Sequence, residues 1–345
     1  MAAEPPKRIV VVQTAFLGDV VLTTPLFRAL KRVYPESRLT ALVTPQAAPL
    51  IEEDPHLDAL LTYAKKGGEP FSRVLSRVRS GGFDLLVSPH RSHRSALLSL
   101  LSGVRLRVGF AGSAVPFAYH RRVRLDPGLH EVDRNLSLLR GIGETPLASD
   151  RVLCAGYGET EAEEVRAVLA EAGVSAGERL AGLCAGSVWA TKRWLPEGFA
   201  AVGRGLVERG YRPLLLGGPD DREVSVRVAG LIGPAAVAGA GRTSLKALAA
   251  WMDRVSILVT NDSAPLHVAA ARGTPTVAVF GATTTGLGFG PFHPRSRVVE
   301  VPLRCRPCGR HGGARCPEGH FRCMRDVTPA AVLGAVDELL GAEGG

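Results

Sequence analysis

The strongest constraint in this 345-residue chain is a rhythm. Apolar runs of strand length alternate with stretches of helical period, and they do so in both halves. Such alternation predicts βαβ units and parallel sheets, since two parallel strands can be joined only by a crossover long enough to hold a helix. In the first half the predicted strands are 8–13, 38–43, 59–63, 83–87 and 105–109, with helix-like stretches such as 26–34 and 71–79 between them. The second half restarts the pattern with predicted strands at 180–186, 212–218, 235–241, 256–262 and 276–281, and helices near 197–208, 222–231, 245–252 and 266–271. The length suits two doubly wound α/β domains better than one. The expected linker lies in 150–177, where the charged run "ETEAEEVRAVLAEAG" separates the halves. At the end of the chain, "VTPAAVLGAVDELLG" reads as a helix capped by Thr328 with Pro329 in its first turn.

The opening "MAAEPPKRIVVVQ" passes from a polar tail into a short apolar run, without the longer apolar region and cleavage site of a signal peptide. No apolar stretch reaches the ~18 residues that span a bilayer, so a cytoplasmic protein is expected. The net charge of +9 is unevenly spread. Between positions 85 and 125 lie Arg91, Arg94, Arg105, Arg107, Arg121, Arg122 and Arg124, three histidines and no acid. That segment suits an anionic partner, nucleic acid or an anionic membrane surface, or, more plainly, a solvated basic face. No helix-turn-helix, RNA-binding fingerprint or aromatic interleaving accompanies it, so nucleic acid is not expected as a partner.

Ligands of doubly wound folds bind outside the carboxyl ends of the strands, which directs attention to four turns. The first, "TAFLGDVVLTTP", has Gly18 alone where a dinucleotide fold carries three glycines, and it holds Asp19. A carboxylate there repels phosphate and suits the deprotonation of a hydroxyl, or else it caps a helix, whose positive end keeps it ionised. The second, "LCAGSVWATKRWLPEGF", offers Gly186, Ser187, Thr191 and Lys192 to an anion, although it is not a Walker loop. In the third, "VTNDSAPLH", Asp262, Ser263, Ala264 and His267 surround a helix start that suits a diphosphate, or that Asp262 or Ser263 simply caps. The fourth, "LLLGGPDD", ends a strand at Gly217 and brings Asp220 and Asp221 to a place where acids hold ribose hydroxyls or open a helix.

Four of the six cysteines cluster as Cys305-x2-Cys308-x7-Cys316-x6-Cys323. In a reducing compartment this spacing suits a structural zinc or a packed loop with free thiols, the second pair being wider than an ordinary zinc knuckle.

Taken in order, "FLGDVVLTTPLFRALK", "HRSHRSALLSLLSGVRLRVGF", "AGSVWATKRWLPEGFA", "GGPDD", "NDSAPLHVAAARGTPTVAVFGAT" and "CRPCGRHGGARCPEGHFRCM" resemble the ADP-heptose:lipopolysaccharide heptosyltransferases over nearly the whole chain, with a type II-like look at both ends. The resemblance implies an α/β fold of the GT-B type, two Rossmann-like domains facing a central cleft. Residues 1–155 would bind acceptor and 156–345 nucleotide sugar, and the resemblance leaves open whether the terminal helix packs back on the first domain. It implies inverting, metal-independent transfer of L-glycero-D-manno-heptose from ADP-heptose to the lipopolysaccharide inner core. The acceptor would be the lipid A–core at the inner membrane surface, with the enzyme peripherally associated there. Asp19 matches the family's catalytic aspartate. Lys192, with Thr191, matches its phosphate contacts, and Asp262, Ser263, Ala264 and His267 match its diphosphate-binding helix start. Many members carry glycine at the position of Ala264. Arg91, Arg94, Arg121 and Arg122 are then expected to guide the acidic acceptor, and Gly186, Ser187, Gly217 and Asp220 to line the nucleotide. No catalytic cofactor is implied. Transfer of another sugar and nucleotide-sugar epimerisation are the alternative activities for such a fold.

Overall fold

A computed structural model describes residues 4–65 and 67–341, and the chain divides into two units, Met1–Gly156 and Tyr157–Gly345. The first contains β1 (Arg8–Val12), α1 (Leu17–Val21), α2 (Thr24–Val33), β2 (Arg38–Val43), β3 (Ala59–Thr62), α3 (Phe71–Ser80), β4 (Leu85–Ser88), α4 (His93–Leu101), β5 (Leu106–Phe110), β6 (Arg121–Val123) and α5 (Glu131–Ser137). The second contains α6 (Glu159–Glu171), β7 (Leu180–Cys184), α7 (Pro196–Glu208), β8 (Arg212–Leu215), α8 (Arg222–Ile232), β9 (Val237–Ala238), α9 (Ala247–Arg254), β10 (Ile257–Asn261), α10 (Ala264–Arg272), β11 (Thr276–Phe280), β12 (Ser296–Glu300), α11 (Arg322–Arg325) and α12 (Pro329–Gly341).

Each unit builds one six-stranded sheet, ordered β3-β2-β1-β4-β5-β6 in the first and β9-β8-β7-β10-β11-β12 in the second. The central pairings are parallel, β1 with β2 and β4, β7 with β8 and β10. Both are thus doubly wound in the same strand order, and in both the order reverses between two central strands. Crossovers depart in opposite directions there and leave a crevice, at β1/β4 in one unit and β7/β10 in the other. All four central strands are almost entirely buried, which is why each reads in sequence as a continuous apolar run.

Five strands per half were expected and six are found. The additions, β6 (RRV) and β12 (SRVVE), are edge strands whose charged side chains hide the apolar signal. The expected strand over 235–241 shrinks to Val237–Ala238, because the glycine-rich end turns away and Gly241 sits at φ +68°. The charged run after residue 158 is no free linker. Its helix α6 packs on α9, Glu164 accepts the Ser244 N–H at 2.6 Å, and Lys246 lies 3.7 Å from Glu161. The terminal helix α12 lies on α7, β11 and β12 of its own unit.

In the second unit Trp194 stacks edge-on against Phe199, centroids 5.2 Å apart, within a buried cluster that also takes Val332, Val336 and Leu339 from α12. The first unit closes Val10, Val12 and Leu86 of its central strands under Val74, Val78, Phe83 and Tyr119. Each fully buried large side chain contributes about 1.5–3 kcal/mol of transfer free energy. No helix among the described residues is long and apolar enough to cross a membrane.

Gly109 in β5 is covered by the Tyr119 ring, so closely that an added Cβ would stand 2.6 Å from its Cε1. Tyr119 is buried and has nowhere to swing without displacing the core. Gly109→Ala is therefore expected to destabilise the first unit by about 1–3 kcal/mol through overpacking. The urea midpoint reads this directly, and an unchanged midpoint with an unchanged slope refutes it.

Candidate active site

Each unit brings its candidate residues to its own switch point. In the first, β1 runs into Gln13 and Thr14, then into the short helix α1, and Asp19 stands in the first turn of that helix. The helix has no side-chain N-cap. Instead the backbone N–H groups of Phe16 and of Asp19 itself favour the charged carboxylate within α1, and the helix that opens at Thr24 takes no side-chain cap. The expectation that the helix end keeps this carboxylate ionised meets an opposing effect. Burial, and after it the charge of Glu131, push Asp19 up to about 7, outweighing the backbone donors and Arg91.

Helix α5, to which sequence analysis assigned no role, shapes this site. Glu131 is buried, its Oε2 held 3.0 Å from Arg134 Nη1 and 4.0 Å from Arg91 Nη2. One turn on, the Asn135 amide donates to Leu22 O at 3.1 Å and to Thr23 Oγ1 at 3.3 Å. Thr23 in turn donates to Asp19 O at 2.7 Å. One helix therefore helps to seat Asp19 through Thr23 and, after burial, adds to its raised pKa. A buried Glu and Arg at i, i+3, followed by Asn, is the signal that "HEVDRN" carried.

At the end of β4, His90 Nδ1 hydrogen-bonds with Ser95 Oγ at 2.8 Å and Thr14 Oγ1 at 3.0 Å. Burial, Lys65 and Arg91 push it down to about 4, leaving a neutral imidazole at neutral pH. Lys65 donates to Thr14 O, and Arg94 reaches Lys65 O at 3.4 Å. The four arginines expected to act together are divided. Arg91 and Arg94 belong to the carboxyl end of β4, Arg91 lying 5.9 Å over the Phe110 ring, whereas Arg121 and Arg122 are exposed on the edge strand β6.

In the second unit, Asn261 at the end of β10 accepts the Trp194 N–H at 2.9 Å and donates to Ala185 O at 2.9 Å and Gly186 O at 3.3 Å. This buried amide ties the turn after β7 to β10, and it was not anticipated. The tie sets Lys192 beside the start of α10. Lys192 Nζ lies 2.6 Å from Asp262 Oδ2, which also accepts from Thr283 Oγ1 at 2.6 Å. An ammonium has three donors, so one bond to Asp262 orients the group and leaves two for a ligand. Ser263 is the N-cap residue of α10, yet no side chain caps the helix. Ser263 Oγ donates to Asn261 O at 3.3 Å instead, which sets aside the plain-cap alternative. Ala264 and Pro265 open the helix and His267 is buried in its first turns.

Other residues proposed for the nucleotide serve the protein itself. Gly186 and Gly217 lack a Cβ because Asp221 occupies the space, its Oδ1 only 1.8 Å from where a Gly186 Cβ would stand and its Cβ 2.7 Å from that of Gly217. The Asp221 carboxylate accepts the Gly218 N–H at 3.0 Å, and burial pushes its pKa up. Asp220, the acid selected from sequence, is exposed. Thr191 is buried and accepts the Gly313 N–H at 2.7 Å, so it pins the cysteine-bearing loop. Ser187 is buried and its carbonyl accepts Arg193 Nε at 2.7 Å.

The structure lends the tetrathiolate zinc reading no ligand geometry among the described residues. Among the described residues no three His, Cys, Asp or Glu side chains are arranged to hold a metal, and all six cysteines are free thiols. Cys308 Sγ donates to Cys305 O at 3.2 Å, Cys305 Sγ lies 3.8 Å from His320 Nε2, and Cys323 is drawn into the core beside Met324. Burial, followed by the neighbouring thiols, raises the Cys308 and Cys323 pKa values and keeps these two protonated.

Known proteins resemble this chain in sequence and in fold. Residues 71–316 match the profile of Glycosyltransferase family 9 (heptosyltransferase). The lipopolysaccharide heptosyltransferase 3 of Escherichia coli is 29% identical over 281 residues, which is 78% of this chain and 82% of that protein. Among solved structures, the glycosyl transferase family 9 protein of Veillonella parvula superposes with a TM-score of 0.83 at 26% identity, covering 97% of each chain. The ADP-heptose lps heptosyltransferase II of E. coli superposes with a TM-score of 0.79 at 23% identity, covering 98% of this chain and all of that one, a likeness that bears on the GT-B fold. Matched over most of its length, the chain belongs to glycosyltransferase family 9, the heptosyltransferases.

Proposed function

We propose that this enzyme transfers L-glycero-D-manno-heptose from ADP-heptose to a hydroxyl of the lipopolysaccharide inner core, with inversion and without a catalytic metal. The observation that carries the reading is Asp19, a half-buried carboxylate at the end of a central strand whose pKa is pushed up to about 7. A general base works best when its pKa lies near the operating pH. Asp19 takes the proton of the acceptor hydroxyl while that oxygen forms its bond to the anomeric carbon. On the opposite face the bond from that carbon to the β-phosphate oxygen breaks, and ADP departs with the electron pair.

The departing diphosphate is received by the second unit. Lys192, oriented by Asp262, supplies a fixed cation, and the uncapped start of α10 at Ser263 and Ala264 supplies backbone donors and the positive helix end, with His267 beneath. These groups make a protein-borne equivalent of a metal clamp. Arg91 and Arg94 suit the acidic sugars and phosphates of the acceptor. Arg121 and Arg122, out on the edge strand, suit longer-range guidance of the same anionic partner. The donor and acceptor classes are those named for the relatives, and a lipid-anchored acceptor puts the enzyme at the cytoplasmic face of the inner membrane. Turnover of ADP-heptose with a panel of truncated core acceptors tests the assignment, and absence of transfer to every member overturns it.

Asp19→Asn preserves the shape of the side chain and removes its basicity, so kcat is expected to fall ~10²- to 10⁴-fold with ADP affinity nearly unchanged. Full activity in this variant would return Asp19 to its role in closing α1. Since Asp19 acts only when deprotonated, kcat/KM should drop as pH falls through about 7. The charge of Glu131 raises Asp19, so Glu131→Gln should lower the Asp19 pKa and move that acid limb to lower pH. A limb that stays in place, or moves up, contradicts the coupling.

Lys192→Ala is expected to weaken ADP binding and to slow transfer, because the cation serves the bound diphosphate and the leaving group alike. Lys192→Arg should restore only part, the planar fork being a poor substitute for a point charge held by Asp262. Calorimetry with ADP reads the first effect, and unchanged affinity together with an unchanged rate removes Lys192 from the site.

A further inference from the structure

The basic segment of the first unit carries a second feature beside its charge. Phe117 is 71% exposed, Leu97 43% and Leu101 38%, in a unit whose large apolar side chains are mostly buried. Leu97 and Leu101 are four residues apart on α4 and share one outward stripe with Arg94. Phe117 stands on the 3-10 turn Pro116–Ala118, which packs against α4. That turn is firmly seated, since Arg107 Nε donates to Ala118 O at 2.8 Å and the Ala114 N–H to Arg91 O at 3.0 Å. The apolar group is therefore displayed on rigid elements. The same chain segment carries exposed Arg94, Arg121, Arg122 and Arg124 and, from 85 to 125, no acid.

We propose that the outward face of α4 and the Pro116–Ala118 turn form a membrane-docking surface, with an anionic phospholipid bilayer as its occupant. Exposed apolar side chains on a chain segment that also carries exposed arginines match the two layers of such a surface, acyl boundary below and phosphate headgroups above. The arginines supply an electrostatic term that salt screens, and insertion of Phe117, Leu97 and Leu101 adds an apolar term that salt does not remove. A protein partner fits less well, because a segment whose charges from 85 to 125 are all of one sign suits a uniformly anionic layer of lipid headgroups better than the mixed charges of a protein surface. Nucleic acid fits less well, since Phe117 is a single exposed ring among leucines and not a run of stacking platforms. The inference rests on the reading that the acceptor is lipid-anchored, for which this surface supplies the approach.

Flotation of the full chain with vesicles separates the two. Binding to vesicles of phosphatidylcholine with phosphatidylglycerol is expected, falling with salt, and little binding to phosphatidylcholine alone. Leu97→Ser with Phe117→Ser changes only exposed side chains and should weaken binding at least about tenfold, while turnover on a soluble, de-acylated core acceptor stays at the level of the unaltered enzyme. A single Arg124→Glu change should weaken binding to the anionic vesicles only. No binding by the unaltered protein, equal binding to both vesicle types, or full binding by the serine variant overturns the docking surface, leaving a protein partner as the occupant to seek. Failure of the proposed function looks different: vesicle binding follows the expected pattern while no core acceptor receives heptose.

Discussion

Everything in this molecule that can do chemistry depends on one constraint of parallel sheets. Strands that run the same way need crossovers, and where two central strands send their crossovers to opposite sides the sheet leaves its carboxyl edge open. This happens once in each unit, at β1/β4 and at β7/β10. Asp19, His90 and Arg91 stand at the first of these edges, Lys192, Asp262 and Ser263 at the second. Backbone hydrogen bonding of the buried strands is satisfied within the sheets, so the residues just beyond their ends are the first ones free to serve something other than the fold.

The two edges use like charges to opposite effect. In the first unit a half-buried carboxylate stands near a second carboxylate, and desolvation together with repulsion lifts its pKa towards neutrality. In the second, Asp262 faces an ammonium 2.6 Å away and a hydroxyl at the same distance, so its charge is compensated and serves to aim Lys192. A group that must accept a proton is thus made basic by poor company. A group that must hold an anion's partner in place is given good company. Neither property belongs to an aspartate as such. In both cases the partner arrives from another element: α5 for Asp19, the turn after β7 for Asp262.

Small residues carry a related lesson. Gly186 and Gly217 lie at strand ends where a ligand's approach explains a missing side chain, yet the space beside them is filled by Asp221. Thr191 offers a hydroxyl next to Lys192, yet that hydroxyl holds Gly313. A protein packs its own polar groups into the places where its backbone comes close, and only the residues left over face outward. The cysteine cluster behaves likewise, with one thiol bonded to a carbonyl and another taken into the core beside Met324.

The sequence alone determined the grammar of the chain: two doubly wound α/β units, most of the strands within a residue or two, the order of the motifs, Asp19 and Lys192 at strand-end turns, and an acid-free arginine segment. These are local properties, written in apolar periodicity, in proline and glycine, and in neighbours along the chain. The tertiary structure decided the rest. Edge strands β6 and β12 exist because a neighbour offers hydrogen bonds, not because their residues are apolar. The basicity of Asp19, the seat of its helix on Asn135, 112 positions away from Thr23, and the Asn261 tie to Trp194, 67 positions back, all require segments far apart in sequence to meet. Desolvation, charge coupling and hydrogen bonding fall off within a few ångströms, so they are set by which side chains the fold brings together, and a linear string of residues carries no record of those distances.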